Sequence, residues 1–431
     1  GIGVQFRIER DTVMVINTIP GGPSEKVGLR AGDRIVKVDG KNIAGVKINN
    51  EKVMKLLKGP KDTKVTVSIF RRGLKKLNDF TITRGVIPTW SIDISYAVNA
   101  SVGYIKLSKF SATTGDELHE ALKDLKSKGI KKIILDLRGN SGGYLQEAIS
   151  VADEFLPDDK LIVYTQGLHR PKQVAKSTSG GLWEDKPLVI LIDEGSASAS
   201  EIVAGAIQDN DRGTIIGRRS FGKGLVQEQV SLSDGSALRL TVARYYTPTG
   251  RCIQKPYTKG TEEYYMEYYH RMTDGELENA DSIKLNDSLK YKTPGGKTVY
   301  GGGGIMPDIF IPIERNEGLK FYNESVNKGI LYQFSFDYTD SNRASFGKYK
   351  DVNQFDKQFV VSPAMYAEFV AYADKNGIKY PAAETASSRG YISDLMKSYI
   401  ARNLYDSKGF YPIFLRTDKT FVKAMEMLGK Q

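Results

Sequence analysis

The sequence has one cysteine, Cys252, in 431 residues. A single thiol excludes an internal disulfide and any cysteine-rich metal site. The 3 histidines, His119, His169 and His270, are far apart and form no H-x-x-x-H pattern. A histidine-based zinc site is therefore not expected, and no metal is assigned. No stretch approaches the ~18 apolar residues that span a bilayer, so no integral membrane segment is read in this chain. No signal peptide is legible either. The chain opens at Gly1-Ile2-Gly3-Val4 as though inside a domain, and the native N-terminus is expected to lie upstream. Tryptophan is scarce, 2 residues against 24 Tyr, while 40% hydrophobic and 26% charged residues are the proportions of an ordinary globular protein. The length suits two or three domains.

Acidic residues are short in one place. Residues 1–90 hold 18 Lys/Arg against 8 Asp/Glu, which is nearly all of the chain's net charge of +11. That surplus is either a solvated basic face or a module that draws in anions. Nucleic acid is not expected, because few aromatics are interleaved with the basic residues: mainly Phe6, Phe70, Phe80 and Trp90.

The patterning divides the chain in three. Residues 1–85 read as short strands and turns: Gly3–Ile8 alternates, Thr12–Ile16 comes after a turn at Arg10-Asp11, Arg34–Val38 is closed by Asp39-Gly40, and Asn49–Leu57 has helical spacing. Residues 86–315 alternate strand and helix. The apolar strands Lys132–Leu137 and Pro187–Ile192 and the helices Thr114–Lys128, Leu145–Phe155 and Ser198–Asp209 predict an α/β core with a partly parallel sheet. Within it, residues 258–292, with YYMEYYH, read as an insertion. Residues 316–431 are more helical, for example Pro363–Asn376 and Ser393–Asn403, and carry no chemical motif.

Residues 217–224, G-R-R-S-F-G-K-G, come close to a phosphate-binding loop. Three features speak against one. Gly224 stands where such a loop needs Ser or Thr for magnesium. The next residues, Leu225–Val230, alternate like a strand and do not open a helix, and Arg218 and Arg219 crowd the cradle. Upstream, Glu194–Glu201 (EGSASASE) links a buried strand to a helix, a turn that can present a nucleophilic hydroxyl. Ser196, Ser198 and Ser200 are the candidates. Ser198-x-x-Glu201 is also a capping box, a structural role that competes with catalysis.

Two resemblances bear on this choice. GIGV, SEKVGLRAGDRIVKVDGKNI and VTVSIFRRG resemble a PDZ domain over nearly all of residues 1–85. The resemblance implies that Gly1, Ile2, Gly3 and Val4 offer backbone N–H groups to a protein's terminal carboxylate, whose tail adds to the strand Val4–Ile8. GSASASEIVAGAIQDNDRGTIIGRRSFGKGLVQ, with GYIKLSKF, IILDLRGNSGG, ARYYTPTGRCIQ and GGGGIMPD, resembles the carboxyl-terminal processing proteases, also called tail-specific proteases. Together they cover residues 1 to about 315. The fold implied is a PDZ-like β-barrel, a crotonase/Clp-protease-like α/β protease core and a largely helical C-terminal region. The resemblance makes Ser198 the nucleophile, Lys223 the base and Gln227 the third member, without a cofactor.

The chemistry agrees with that assignment. A serine hydroxyl needs a base, and a lysine serves only when neutral, which desolvation favours. Phe221, Leu225 and Val226 are the expected apolar lining. Gln227 is less easily placed, because strand residues four apart sit ~13 Å from one another. Asp209, sometimes grouped with the pair in this family, lies ~16 Å along the helix from Ser198 and reads as support, pairing with Arg212 or another basic residue. The oxyanion hole is expected from the N–H of Ala199 and of Gly142 or Gly143. The expected partners are protein C-terminal tails, the expected setting is the cell envelope or periplasm, and a homo-oligomer stays open. The rival readings are a silent PDZ-containing scaffold and a crotonase-like enzyme acting on acyl thioesters.

Overall fold

The computed structural model describes residues 1–258, 260–313 and 318–430. The boundary expected at 315/316 lies outside the described residues. The chain forms two compact units, residues 1–89 with 316–414 and residues 90–315 with 415–431.

In the first unit, β1 (Val4–Glu9) and β2 (Thr12–Thr18) make a hairpin whose two-residue turn, Arg10-Asp11, has both φ angles positive, as a tight hairpin requires. After α1 (Pro23–Lys26) come β3 (Arg34–Val38), β4 (Lys41–Asn42), α2 (Asn50–Leu57), β5 (Lys64–Phe70) and β6 (Asn78–Thr83). The antiparallel order is β1-β2-β3-β5-β6, with β4 on β3, so β1 is an edge. Alternate strand residues, Val13, Val15, Val65, Val67 and Ile69, meet Val53 and Leu57 of α2 in one apolar core. Asn49 caps α2 by accepting the Lys52 N–H at 2.9 Å. Residues 318–414 are helical around an aromatic core that includes Phe321, Phe334, Phe355 and Phe369. They join the strands through Arg34–Asp340 (3.0 Å) and Arg343 to the Ala31 carbonyl (3.0 Å).

The second unit begins with β7 (Ile92–Ala97), β8 (Val102–Leu107), α3 (Thr114–Ser127), β9 (Lys132–Asp136), α4 (Leu145–Asp153), β10 (Leu161–Gln166), β11 (Gln173–Lys176) and β12 (Leu188–Ile192). It continues with α5 (Ala199–Asp209), β13 (Thr214–Gly217), β14 (Leu225–Ser231), β15 (Ala237–Tyr246), α6 (Thr261–Thr273), the ribbon β16 (Lys290–Lys292) and β17 (Thr298–Tyr300), and β18 (Ile309–Phe310). The main sheet has the order β18-β13-β12-β9-β8-β7, parallel except for β7 at its edge. β12 is buried along its whole length, which explains its unbroken apolar run. A second, antiparallel sheet runs β11-β10-β15-β14. Every residue of α5 is buried, and its small side chains allow this: a Cβ at Gly205 would press on Thr247 at 2.7 Å. The region expected to be an insertion contains α6, the ribbon and short 3-10 turns.

Candidate active site

Three neighbouring parallel strands, β9, β12 and β13, each end in a loop from the predicted site: residues 137–143, 193–198 and 218–224. The carboxyl ends of parallel strands are where open α/β sheets place their ligands. The loops are tied together. Ala197 N–H donates to the Asn140 carbonyl (3.0 Å), Phe221 N–H to the Ser196 carbonyl (3.0 Å), and Gly139 N–H to Asp193 Oδ1 (2.8 Å). Arg218 and Glu194 pair at 2.7 Å.

The three serines separate by what their hydroxyls do. Ser196 Oγ donates to the Leu137 carbonyl (2.9 Å) and Ser200 Oγ to the Asn140 carbonyl (2.8 Å), and both residues are buried. Those two hydroxyls are fasteners. Ser198 is half-exposed and has φ 55°, ψ −112°, a left-handed conformation that costs a non-glycine residue about 1–3 kcal/mol. Strain of that kind at a strand-to-helix turn aims the side chain outward, as a nucleophile elbow does. The capping box also forms: the Glu201 carboxylate accepts the Ser198 N–H at 2.8 Å. Glu201 N–H has the Ser198 carbonyl as an acceptor at 2.9 Å, so the cap does not depend on the hydroxyl alone.

Glu201 does more than cap. Its carboxylate is fully buried and also accepts the Lys223 N–H (2.9 Å), the Gly222 N–H (2.7 Å) and the Ser220 hydroxyl (2.5 Å). One carboxylate thus holds the backbones of Ser198 and Lys223 side by side. Burial pushes its pKa above the ordinary value, against the opposing pull of the Ser220 hydroxyl and the three N–H groups. Lys223 is half-buried between two buried glycines, and no hydrogen bond joins its Nζ to Ser198 Oγ in this structure. A Cβ at Gly224 would stand 2.9 Å from the Gln254 backbone nitrogen, which requires glycine there.

The remaining expected residues take up varied positions around this pair. Gly142 sits against Ser198, where a Cβ would lie 2.8 Å from the serine Cβ. Its N–H is taken by Asn140 Oδ1 at 2.9 Å. Among the described residues no acceptor faces the N–H of Ala199 or Gly143. A side chain at Gly143 would overlap the Phe110 carbonyl. Gln227 is exposed on β14 opposite Thr241, beyond a bulge at Val226/Gln227, and makes no hydrogen bond to Lys223. The Phe221 ring lies beside Lys255, with the ammonium 4.0 Å from its centre. Asp209 does not pair with Arg212. It forms a fully buried pair with Arg251 at 2.7 Å and accepts from the Thr249 hydroxyl at 2.7 Å, while Arg212 donates to the carbonyls of Phe155, Trp183 and Lys186. In the first unit the carbonyls of Gly1, Ile2 and Gly3 accept from Gly85, Ser24 and Ile19. Among the described residues none accepts the N–H of Ile2 or Gly3, and Val4 opens the edge strand β1.

Asn140, Ser220 and Arg271 belong to the site's framework and were not singled out from the sequence. Asn140 is fully buried and anchors its loop through Nδ2 to the Leu107 carbonyl at 3.0 Å. Its position inside R-G-N-S-G-G was the available signal. Among the described residues no group of side chains has the make-up of a metal site, and no helix is long and apolar enough to cross a membrane.

Comparison with known proteins supplies the context. Residues 1–82 match the PDZ domain, residues 101–263 match peptidase family S41, and residues 321–406 match a family of unknown function. A carboxy-terminal-processing protease of Bartonella bacilliformis is 43% identical over 260 residues, 59% of this chain and 58% of that protein. The carboxy-terminal processing protease CtpA of Bacillus subtilis is 36% identical over 255 residues, 59% of this chain and 54% of that protein. The chain therefore spans somewhat more than half the length of the curated relatives it matches. Among solved structures, the photosystem II D1 C-terminal processing protease is 29% identical with a TM-score of 0.38, covering 72% of each chain. The chain thus carries a match to the PDZ domain and one to peptidase family S41, and over about 260 residues it is similar to carboxy-terminal processing proteases.

Proposed function

We propose that this protein is a serine endopeptidase that captures protein C-terminal tails through its PDZ domain and cleaves them with a Ser198–Lys223 pair. The observation that carries this reading is the shared hold of the Glu201 carboxylate on the backbones of both residues. In the reaction, the Lys223 amine takes the Ser198 Oγ proton as Oγ attacks the scissile carbonyl carbon. The N–H groups of Ala199 and Gly143 stabilise the oxyanion. The tetrahedral intermediate collapses, the C–N bond breaks, and the lysine ammonium protonates the leaving amine. Water, deprotonated by the same amine, then hydrolyses the serine ester and frees the hydroxyl. Gln227 orients Lys223 only once substrate draws β14 toward it, since catalytic hydrogen bonds often form only in the substrate complex. The tail carboxylate meets the N–H groups of Ile2 and Gly3, and its strand extends the β1 edge. An envelope or periplasmic setting is part of this reading and rests on the resemblance alone.

The test is direct. Ser198→Ala and Lys223→Ala should each abolish cleavage of a tail-bearing protein while thermal melting stays within a few degrees of wild type. Gln227→Ala should lose less activity than either. Near-normal turnover by the serine or the lysine variant refutes the pair.

A further inference from the structure

Helix α6 carries charged groups on its inward face. Tyr264, Glu267, Tyr268 and Arg271, spaced 3, 4 and 7 residues apart, face inward, while Tyr265 (65% exposed) and Tyr269 (58% exposed) face out with Met266. An amphipathic helix normally buries its apolar stripe. Here the inward face sets Glu267 and Arg271 among two tyrosines, and its groups meet the loop that carries Lys223.

Arg271, 3% exposed, donates from NH1 to the Ser220 carbonyl (2.8 Å) and from NH2 to the Phe221 carbonyl (3.2 Å). Its Nε goes to Glu267 Oε1 (2.5 Å), and Glu267 Oε2 takes Lys255 Nζ at 3.0 Å. The Lys255 backbone N–H donates to the Gly222 carbonyl at 2.9 Å. The carbonyls of Ser220, Phe221 and Gly222 are thus held from the α6 side. The N–H groups of Gly222 and Lys223 and the Ser220 hydroxyl are held from the opposite side by Glu201. Burial would raise the Glu267 pKa, but Arg271 and Lys255 outweigh it and hold the carboxylate below its ordinary value. Glu267 is therefore ionised at neutral pH.

We propose that Arg271 is a positioning residue for Lys223. Its planar fork takes two successive carbonyls and fixes the peptide planes that lead into the catalytic lysine, which a lysine at this position cannot do. The inference rests on the Ser–Lys reading above. It assigns α6 a part in the reaction rather than only in the packing of its own region.

The experiment uses the full chain. Arg271→Ala, Arg271→Lys and a control, Arg212→Ala, are compared for kcat, KM, the pH profile of kcat and Ser198 labelling by a fluorophosphonate. Arg212 also serves backbone carbonyls, but none in the Lys223 loop. Arg271→Ala should lower kcat roughly 10- to 100-fold, because a misplacement of about 1 Å is worth that much, with KM within about two-fold. The pH at which kcat reaches half its maximum should shift. Arg271→Lys should stay low although it keeps the charge. Millimolar methylguanidinium should restore part of the Arg271→Ala activity and none of that of Lys223→Ala. Arg212→Ala should lose melting temperature without a selective loss of kcat. If Arg271→Ala does not fold, Arg271→Lys carries the test alone. Wild-type kcat and pH profile in the Arg271 variants, or a loss confined to KM, overturns the role of Arg271 and leaves the Ser–Lys pair intact. If the wild type neither cleaves nor labels at Ser198, the Ser–Lys reading fails, and the role of Arg271 fails with it.

Discussion

At the scale of single residues, Glu201 holds the backbones of the proposed nucleophile, Ser198, and the proposed base, Lys223, side by side. Each of its oxygens accepts two hydrogen bonds: Ser198 and Lys223 N–H on one, Gly222 N–H and the Ser220 hydroxyl on the other. A glutamine has the same shape but one nitrogen, which would face two donors it cannot accept. Hydrogen bonds to a charged group contribute about 1.5–3 kcal/mol each. Glu201→Gln should therefore destabilise the fold by about 3 kcal/mol or more and lower kcat at the same time, read by urea unfolding and by turnover. A wild-type urea midpoint would show that the carboxylate is not the link between the two loops. The Ser198/Glu201 spacing was legible because a cap is local, its two partners three positions apart. That the same carboxylate reaches Ser220, Gly222 and Lys223 was not legible. Those contacts span 19–22 residues of sequence and exist only once β12 and β13 lie side by side.

At the scale of elements, periodicity located the strands and helices of the protease core to within a few residues. β9, β12 and α5 coincide with the apolar runs that announced them. α6 was not legible as part of the site, because Glu267 and Arg271 read as the charged face of an ordinary solvated helix until the Lys223 loop is set beneath them. Long-range pairs were equally hidden: Asp209 finds Arg251, 42 residues away, rather than the nearby Arg212. A similar pair closes the end of β9. Asp136 is buried, receives Arg138 (2.6 Å), Lys106 (3.3 Å) and the Tyr104 hydroxyl (2.7 Å), and Arg138 also reaches Asp418 (2.8 Å), just ahead of the closing helix. Burial raises the Asp136 pKa, but Arg138 and Lys106 overcome it, so the carboxyl lies well below its ordinary range. A carboxylate with a depressed native pKa contributes stability that is present above its unfolded pKa of about 3.9 and fades as pH falls below it. Asp136→Asn should cost about 3–5 kcal/mol at pH 7, the usual result of breaking a buried pair. The gap to wild type should shrink below about pH 4. Urea midpoints between pH 7 and pH 2.5 measure this, and a gap independent of pH would contradict it.

At the scale of the whole molecule, the charge is lopsided in a way that suits the proposed substrate. Nearly all of the net +11 resides in residues 1–90, the PDZ segment, whereas the remaining 341 residues are close to neutral. A tail ending in a carboxylate approaches such a domain down a long-range potential, which salt screens. The Debye length falls from about 30 Å at 0.01 M to about 3 Å at 1 M. Steering of this kind acts on the association rate, often by ten-fold or more, and leaves dissociation governed by short-range contacts. Tail capture by the full chain, made inactive with Ser198→Ala, should therefore show an association rate that drops roughly ten-fold from 0.02 M to 0.5 M salt, with a nearly constant dissociation rate. A C-terminally amidated tail separates the two sources of attraction. It keeps the contacts along the β1 edge but loses the charge that the N–H groups of Ile2 and Gly3 would receive, so it should dissociate faster at every salt concentration. Surface plasmon resonance with the two peptides resolves both rates. An association rate indifferent to salt would reduce the basic surplus to a solvated face, and equal dissociation of acid and amide would remove Gly1–Val4 from the recognition of the tail.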